Sequence, residues 1–154
     1  MSLIPDQQIN IEKVLLVVIE DRSDRDAWSL QDLIYEMKEL VVACNAEVID
    51  VISFKIDTPS AKYFIGEGKV SEIKAAVGML DVQTVIFSKD LKGNQQRNLE
   101  DVFGVKTIDR TQLILDIFAR NATSREGQMQ VELAQLEYLL PRLVGKGIEL
   151  SRLG

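Results

Sequence analysis

The feature that most constrains the fold of this chain is a continuous apolar run near its N-terminus. Residues 13–20 read KVLLVVIE, with aliphatic and β-branched side chains in consecutive positions. A strand with one solvated face shows an alternating pattern, whereas an unbroken run is typical of a strand buried on both faces of a parallel sheet. The run therefore predicts a central strand with helices packed on both faces of its sheet.

Strand and helix patterns alternate along the chain as far as residue 109. Short apolar segments predict strands over 13–20, 46–56, 82–87 and 105–108. Apolar residues at helical spacing predict helices over 26–43, 69–80 and 93–103. Alternation with short connections implies right-handed crossovers. We therefore expect an α/β subdomain over 1–109, built on a small four-stranded parallel sheet with flanking helices.

Two helix starts follow the predicted sheet. Asp109 followed by Gln112 has the spacing of a capping box, in which the first side chain accepts a backbone N–H and the second reaches back. Thr123 followed by Glu126 repeats this spacing, so a break is expected between a first helix and a longer second one. The break has the properties of a hinge. Residues 110–154 are therefore predicted to form a helical subdomain.

The long helix carries an apolar stripe whose members alternate spacings of four and three residues. The stripe consists of Met129, Leu133, Leu136, Leu140 and Leu143. Such a seam needs a second helix, and none follows before Gly154, so we expect self-association through 129–143 when that helix is missing. Pro141 lies within the stripe and has no N–H to donate, which predicts a kink or an end of the helix there.

The residue types that carry chemistry are few. The chain has no histidine, which excludes Ser-His-Asp triads and histidine metal sites, and we predict no metal site. Its one cysteine, Cys44, excludes an internal disulfide and is predicted to pack as a small hydrophobe. No apolar run approaches the roughly 20 residues of a membrane span. The N-terminus lacks the basic and apolar regions of a signal peptide, so we expect a cytoplasmic protein.

The loop after the first predicted strand contains no glycine and reads EDRSDRD. A loop this acidic repels a pyrophosphate, which argues against a nucleotide in the usual Rossmann position. Its carboxylates have two interpretations. One is a divalent-cation site at the carboxyl end of a strand, and the other, which we favour, is a solvated loop with a helix cap.

A glycine-containing turn, Gly66-Glu67-Gly68-Lys69, precedes the second predicted helix. It is not a Walker motif, because Val70 stands where Ser or Thr should hold magnesium and Tyr63 stands where the first glycine should be. We favour a tight turn that opens the helix. The alternative is a small phosphate-binding site formed by Gly66, Gly68 and Lys69.

Charge is unevenly distributed along the chain, whose formal net charge is −6. Residues 1–109 hold 12 Lys and Arg against 19 Asp and Glu, and residues 110–154 hold 6 against 5. Near the C-terminus, Arg142, Lys146 and Arg152 are interrupted by a single acid. This end is able to contact phosphate while the rest of the chain repels it, although a solvated basic helix end explains the pattern equally well.

Several sequence segments together resemble the N-terminal part of the HflX family of ribosome-associated GTPases. The matching segments are 63–66 (YFIG), 68–70 (GKV), 95–100 (QQRNLE), 108–111 (IDRT), 113–119 (LILDIFA), 125–127 (REG), 130–136 (QVELAQL) and 140–143 (LPRL). The resemblance spans essentially the whole chain, weakly before residue 60. One departure is Asn121, where the family usually has arginine, with Arg120 beside it.

The resemblance implies an α/β part, a two-helix hairpin, a glycine-rich connection and a GTPase domain. This chain stops at the first glycine of that connection, so GTP binding and hydrolysis with Mg²⁺ are expected in the absent part, and no cofactor and no catalysis are expected here. The missing second hairpin helix would cover the apolar stripe. The implied partners are the large ribosomal subunit with its rRNA, and the protein's own GTPase domain.

The family is associated with splitting stalled or idle ribosomes, which suggests residues for contact with RNA. Towards the hairpin tip we expect Arg142, Lys146 and Arg152 to contact rRNA phosphates, with Ser151 allowing close approach. At the expected hinge, contacts with RNA or with the sheet subdomain are expected from Arg120, Arg125 and Gln128. One alternative is an α/β module that binds ATP or another phosphate ligand near 66–69 and the ends of the first and third predicted strands. The other is a regulatory domain that packs on its own GTPase domain.

Overall fold

The protein, a computed structural model of which describes residues 11–25 and 28–143, is a four-stranded parallel sheet with helices on both faces. The strands are β1 (Lys13–Asp21), β2 (Glu47–Ile56), β3 (Thr84–Phe87) and β4 (Lys106–Ile108). The helices are α1 (Leu30–Ala43), α2 (Glu67–Leu80), α3 (Gly93–Phe103), α4 (Arg110–Asn121) and α5 (Arg125–Leu143). The predicted α/β class, strand number and helix number are confirmed.

β1 lies in the interior of the sheet, whose strand order is β2-β1-β3-β4. It pairs in parallel with β2 along its whole length and with β3 from Val14↔Thr84 to Val17↔Phe87. Every side chain from Val14 to Ile19 is buried. The unbroken apolar run therefore has the cause inferred from sequence, which is burial on both faces.

Each face of the sheet packs against two helices. On one face, Val14, Leu16 and Val18 of β1 contact Met37 and Val41 of α1 and Leu113 of α4 in one buried cluster. On the other face, the alternate β1 residues form the second cluster with α2 and α3; its members include Leu15, Val17, Ile19, Ile73, Phe87, Leu99 and Phe103. α4 thus lies on the sheet, and a division of the chain at residue 109 stays a prediction.

Several predicted boundaries differ from the structure by a few residues. α1 begins at Leu30 rather than residue 26, because the Ser29 hydroxyl accepts the Asp32 N–H at 3.3 Å and caps the helix. α2 begins two residues before the predicted start, at Glu67 with Gly66 as its N-cap. β3 and β4 are shorter at their N-terminal ends than the apolar segments that predicted them.

The predicted break between the last two helices is present, but one of its caps is different. Asp109 caps α4 by accepting the Gln112 N–H at 3.0 Å, as predicted, whereas the Gln112 side chain donates to Asp116 instead of reaching back. At α5 the hydroxyl of Ser124, not of Thr123, accepts the Gly127 N–H at 3.0 Å. The prediction of Thr123 as the cap was wrong by one residue.

α5 extends from this break past Pro141. The helix reaches Leu143, so Pro141 does not end it. Four members of its apolar stripe, Met129, Leu133, Leu136 and Leu140, each show between 50% and 62% of their surface. In the described part of the chain, no helix is long and apolar enough to cross a membrane.

The packing of α5 on α3 leaves little room for a side chain at Gly93. A Cβ built there lies 3.0 Å from the Cα of Arg142. We expect Gly93→Ala to lower the free energy of unfolding by about 1–2 kcal/mol through overpacking. Gly78→Ala is the matched control, because it lies within α2 with nothing within 4 Å of its Cβ, and it should stabilise by about 0.5–1 kcal/mol. Urea denaturation measures both; equal effects would contradict the close approach.

Candidate nucleic-acid interface

Three of the predicted RNA-contacting residues lie together at the α4–α5 junction. Arg120 lies in the last turn of α4 with its side chain exposed, and Arg125 and Gln128 are exposed on the first turn of α5. The Gln128 amide donates weakly to the Ala122 carbonyl at 3.4 Å. The junction therefore carries two guanidinium groups and an amide at the protein surface.

Arg120 also contacts Cys44, which packs at the C-terminal end of α1. Burial raises the pKa of the Cys44 thiol, while the Arg120 guanidinium, which hydrogen-bonds to the thiol, acts in the opposite direction. Cys44 is partly rather than fully buried and packs against the α1 face of the core. The Arg120 guanidinium therefore lies near the C-terminal end of α1.

The structure gives Arg142 an internal set of partners. Its Nε donates to Gln96 Oε1 at 3.1 Å, and its Nη1 donates to the Tyr138 carbonyl at 2.9 Å. Its Nη2 donates to the Leu91 carbonyl at 2.8 Å and to Asp109 Oδ2 at 3.1 Å. Four of the five guanidinium N–H groups are thus used within the protein, so a phosphate contact at Arg142 would compete with these bonds.

Asp109 is the centre of this arrangement and is fully buried, at 0% exposure. Its Oδ1 accepts the Gln112 N–H at 3.0 Å and the Tyr138 hydroxyl at 2.8 Å. Its Oδ2 accepts the Leu91 N–H at 3.0 Å and the Arg142 Nη2. From the sequence, only the role of Asp109 as the N-cap of α4 was predicted. We call Asp109, Tyr138 and Arg142 the Asp109 cluster, which connects the end of α5 to the sheet.

Tyr138 completes the Asp109 cluster. Its ring lies under the Arg142 guanidinium, with 3.5 Å between the ring centroid and Cζ, a cation–π geometry. Burial, followed by the nearby Asp109 carboxylate, raises the pKa of the Tyr138 hydroxyl. The hydroxyl therefore stays protonated and able to donate. Sequence reasoning assigned Tyr138 no role; the available signal was an arginine four residues after a tyrosine on one helix face.

At the predicted phosphate-binding turn, the lysine already has an acidic partner. Lys69 Nζ lies 3.0 Å from Glu72 Oε2 and 4.9 Å from the centroid of the Phe54 ring. Gly66 and Gly68 are exposed, with nothing near their Cβ positions, and Glu67 places a negative charge in the first turn of α2. A phosphate site at this turn stays a prediction that the local charges do not favour.

The acidic loop after β1 is held by local contacts. Asp21 accepts both the N–H and the hydroxyl of Ser23, and Asp24 pairs with Lys89 Nζ at 3.0 Å. Over the described ranges no cluster of three metal-ligating side chains occurs. The loop is thus fastened to the carboxyl end of β3. Three further predicted RNA contacts, Lys146, Ser151 and Arg152, lie outside the described residues.

Comparison with known proteins identifies the family. The sequence profile of the GTP-binding GTPase N-terminal region matches residues 31–119, and that of the GTP-binding GTPase middle region matches residues 121–154. Among curated proteins, GTPase HflX of Caldanaerobacter subterraneus is 47% identical over 92% of this chain and 32% of its own length. GTPase HflX of Escherichia coli is 43% identical, also over 92% of this chain and 32% of its own length.

Solved structures agree with this assignment. A GTP-binding protein from the archaeon Sulfolobus solfataricus, crystallised with GDP, superposes with a TM-score of 0.68 and 27% identity over 90% of this chain and 40% of that protein. The chain spans about one third of the length of its curated relatives. Because a family profile matches more than half of its residues, the chain belongs to the HflX-type GTP-binding GTPases, whose N-terminal and middle regions it matches.

Proposed function

We propose that this chain is the ribosome-binding N-terminal region of a cytoplasmic HflX-like GTPase that acts in ribosome splitting or rescue, and that it contacts rRNA of the large subunit. The observation that carries the proposal is the exposed α4–α5 junction. There, Arg120, Arg125 and Gln128 lie at the surface of an otherwise acidic protein. Phosphate contacts supply most of the affinity of such interfaces.

The proposal assigns the two groups of basic residues different positions on the RNA. Arg120 and Arg125 contact phosphates at the junction, and Lys146, Ser151 and Arg152 contact them beyond the end of α5. Arg142 acts indirectly, because its bonds to Asp109 and Leu91 hold α5 in place. In this proposal, the GTPase domain of the longer protein binds GTP and Mg²⁺ and hydrolyses GTP. The support is that two relatives named GTPase HflX match this chain over 32% of their own length.

Binding to large-subunit rRNA across a salt series tests the junction. We expect Arg120→Glu with Arg125→Glu to weaken binding and to lower the salt slope by about two, about one unit for each phosphate contact. Lys38→Glu with Lys74→Glu is the matched control, since these lysines are also exposed and the charge change is equal. An unchanged slope in the junction variant, or an equal change in the control, would contradict the assignment.

The exposed stripe on α5 favours a second candidate function, regulation of the protein's own GTPase domain. A contiguous apolar surface is rarely left exposed to water on a monomeric protein. In the longer protein, the second hairpin helix or the GTPase domain covers it, and in its absence two copies associate through 129–143. Sedimentation equilibrium of this chain and of a Leu133→Glu, Leu140→Glu variant measures self-association through the stripe. GTPase rates of the longer protein with and without this region separate regulation from RNA binding.

A further inference from the structure

Two large exposed aromatic side chains line one groove beside α1. Trp28 precedes the helix with 58% of its surface exposed, and Tyr35 on the helix shows 70%. The same helix buries Met37 and Val41 against the sheet, so neither ring is needed for the core. A groove of about 530 Å³, the α1 groove, is lined by Trp28, Asp32, Tyr35, Glu36 and Glu39.

The residues of the α1 groove share one side of the helix because of their spacing. Asp32, Glu36 and Glu39 are separated by four and three residues, which stacks them along one face. Glu36 forms an ion pair with Arg110. Asp32 and Glu39 have no ion pair within residues 11–25 and 28–143. Asp32 and Glu39 lie about two helical turns apart, so each carboxylate can bind a separate cationic side chain.

The charge and the aromatic surface together define the partner. Carboxylates around exposed rings repel the phosphates of RNA and of anionic lipids, and they attract Lys and Arg side chains. Guanidinium and ammonium groups also bind over the faces of Trp and Tyr rings. We infer that the α1 groove docks a Lys- or Arg-rich segment of a separate protein, with cationic side chains over Trp28 and Tyr35 and in contact with Asp32 and Glu39. This surface is independent of the RNA contacts proposed above.

The chain offers a direct probe of this groove, because Trp28 is its one tryptophan. Titration of the whole chain with an oligo-arginine peptide, followed by tryptophan fluorescence, should give a saturable change that weakens as salt is added. An uncharged Gly-Ser peptide of equal length should give none. Absence of a change with oligo-arginine would overturn the proposal, and so would an equal change with single-stranded poly-uridine.

Charge variants separate docking from general attraction to an acidic protein. Asp32→Asn with Glu39→Gln should raise the Kd for oligo-arginine about fivefold, as expected for the loss of two exposed ion pairs. Asp101→Asn with Glu132→Gln removes the same charge from exposed positions on α3 and α5 and should leave the Kd within about twofold. Tyr35→Leu should also weaken binding by about threefold. Equal Kd values for the two double variants would overturn the proposal.

Discussion

Replacement of Asp109 by alanine is expected to lower the free energy of unfolding by about 3–5 kcal/mol, because a buried ion pair loses one partner. The side chain has no exposed surface, and its oxygens accept from two backbone N–H groups, the Tyr138 hydroxyl and Arg142. Removal leaves the Arg142 guanidinium, with 19% exposure, without its anion. It also leaves the Leu91 N–H without its carboxylate acceptor. Urea denaturation followed by circular dichroism measures the loss.

A double-mutant cycle distinguishes the Asp109–Arg142 pair from the helix cap alone. If the pair matters, Arg142→Met combined with Asp109→Ala should cost less than the sum of the single changes, by about 1–3 kcal/mol. The matched control is the surface pair of Arg22 and Asp57, whose side chains are mostly exposed; Arg22→Met should change stability by less than about 1 kcal/mol. Additive effects at Asp109 and Arg142 would contradict the coupling.

Replacement of Phe87 by alanine is expected to cost about 3–5 kcal/mol, since it empties the centre of the α2–α3 side of the core. Phe87 is fully buried on β3, and its ring stacks on Phe103 of α3 with 6.5 Å between centroids. Such pairs add stability beyond the area they bury. The change should lower the melting temperature and the urea midpoint together.

Phe118 supplies the control for this change. It lies on α4 with 55% of its surface exposed, so Phe118→Ala removes the same atoms and should cost less than about 1 kcal/mol. Phe87→Leu should cost less than Phe87→Ala because it leaves a smaller cavity. Equal costs at the two phenylalanines would mean that the β3–α3 contact contributes little.

The fold was predictable from sequence because its main signals are local. The apolar run of β1 and the helical spacing of Met37 and Val41 depend on neighbouring residues, and both are confirmed. The strand order was not predictable, since no local pattern specifies which strands flank β1. Ser29 and Ser124 were missed as caps because several hydroxyl and carboxyl side chains near each helix start are equally suitable in sequence.

The candidate interface was predictable only in part. Arg120, Arg125 and Gln128 were grouped from the expected break, and the structure places them at one exposed junction. Arg142 was assigned to RNA because its charge lies in a locally basic segment. Its partner Asp109 lies 33 residues earlier in the sequence, and packing of α5 on α3 and α4 brings the two together. A contact between residues so far apart in the sequence produces no periodic pattern in that sequence.

The internal bonds of Arg142 also change how the proposed function should be tested. Arg142→Glu would place a second carboxylate against buried Asp109 and detach α5 from the sheet. Loss of RNA binding in that variant would therefore report damage to the fold as well as loss of a contact. Charge changes at Arg120 and Arg125 reduce this ambiguity, because both side chains are exposed.

Co-sedimentation of this chain with purified large and small ribosomal subunits, in a salt series, tests the proposed ribosome binding most directly. The Arg120→Glu, Arg125→Glu variant and the Lys38→Glu, Lys74→Glu control accompany the unchanged chain. The proposal predicts salt-dependent binding to the large subunit, little binding to the small one, and a loss confined to the junction variant. Equal binding to both subunits, or binding that survives in the junction variant, would contradict it.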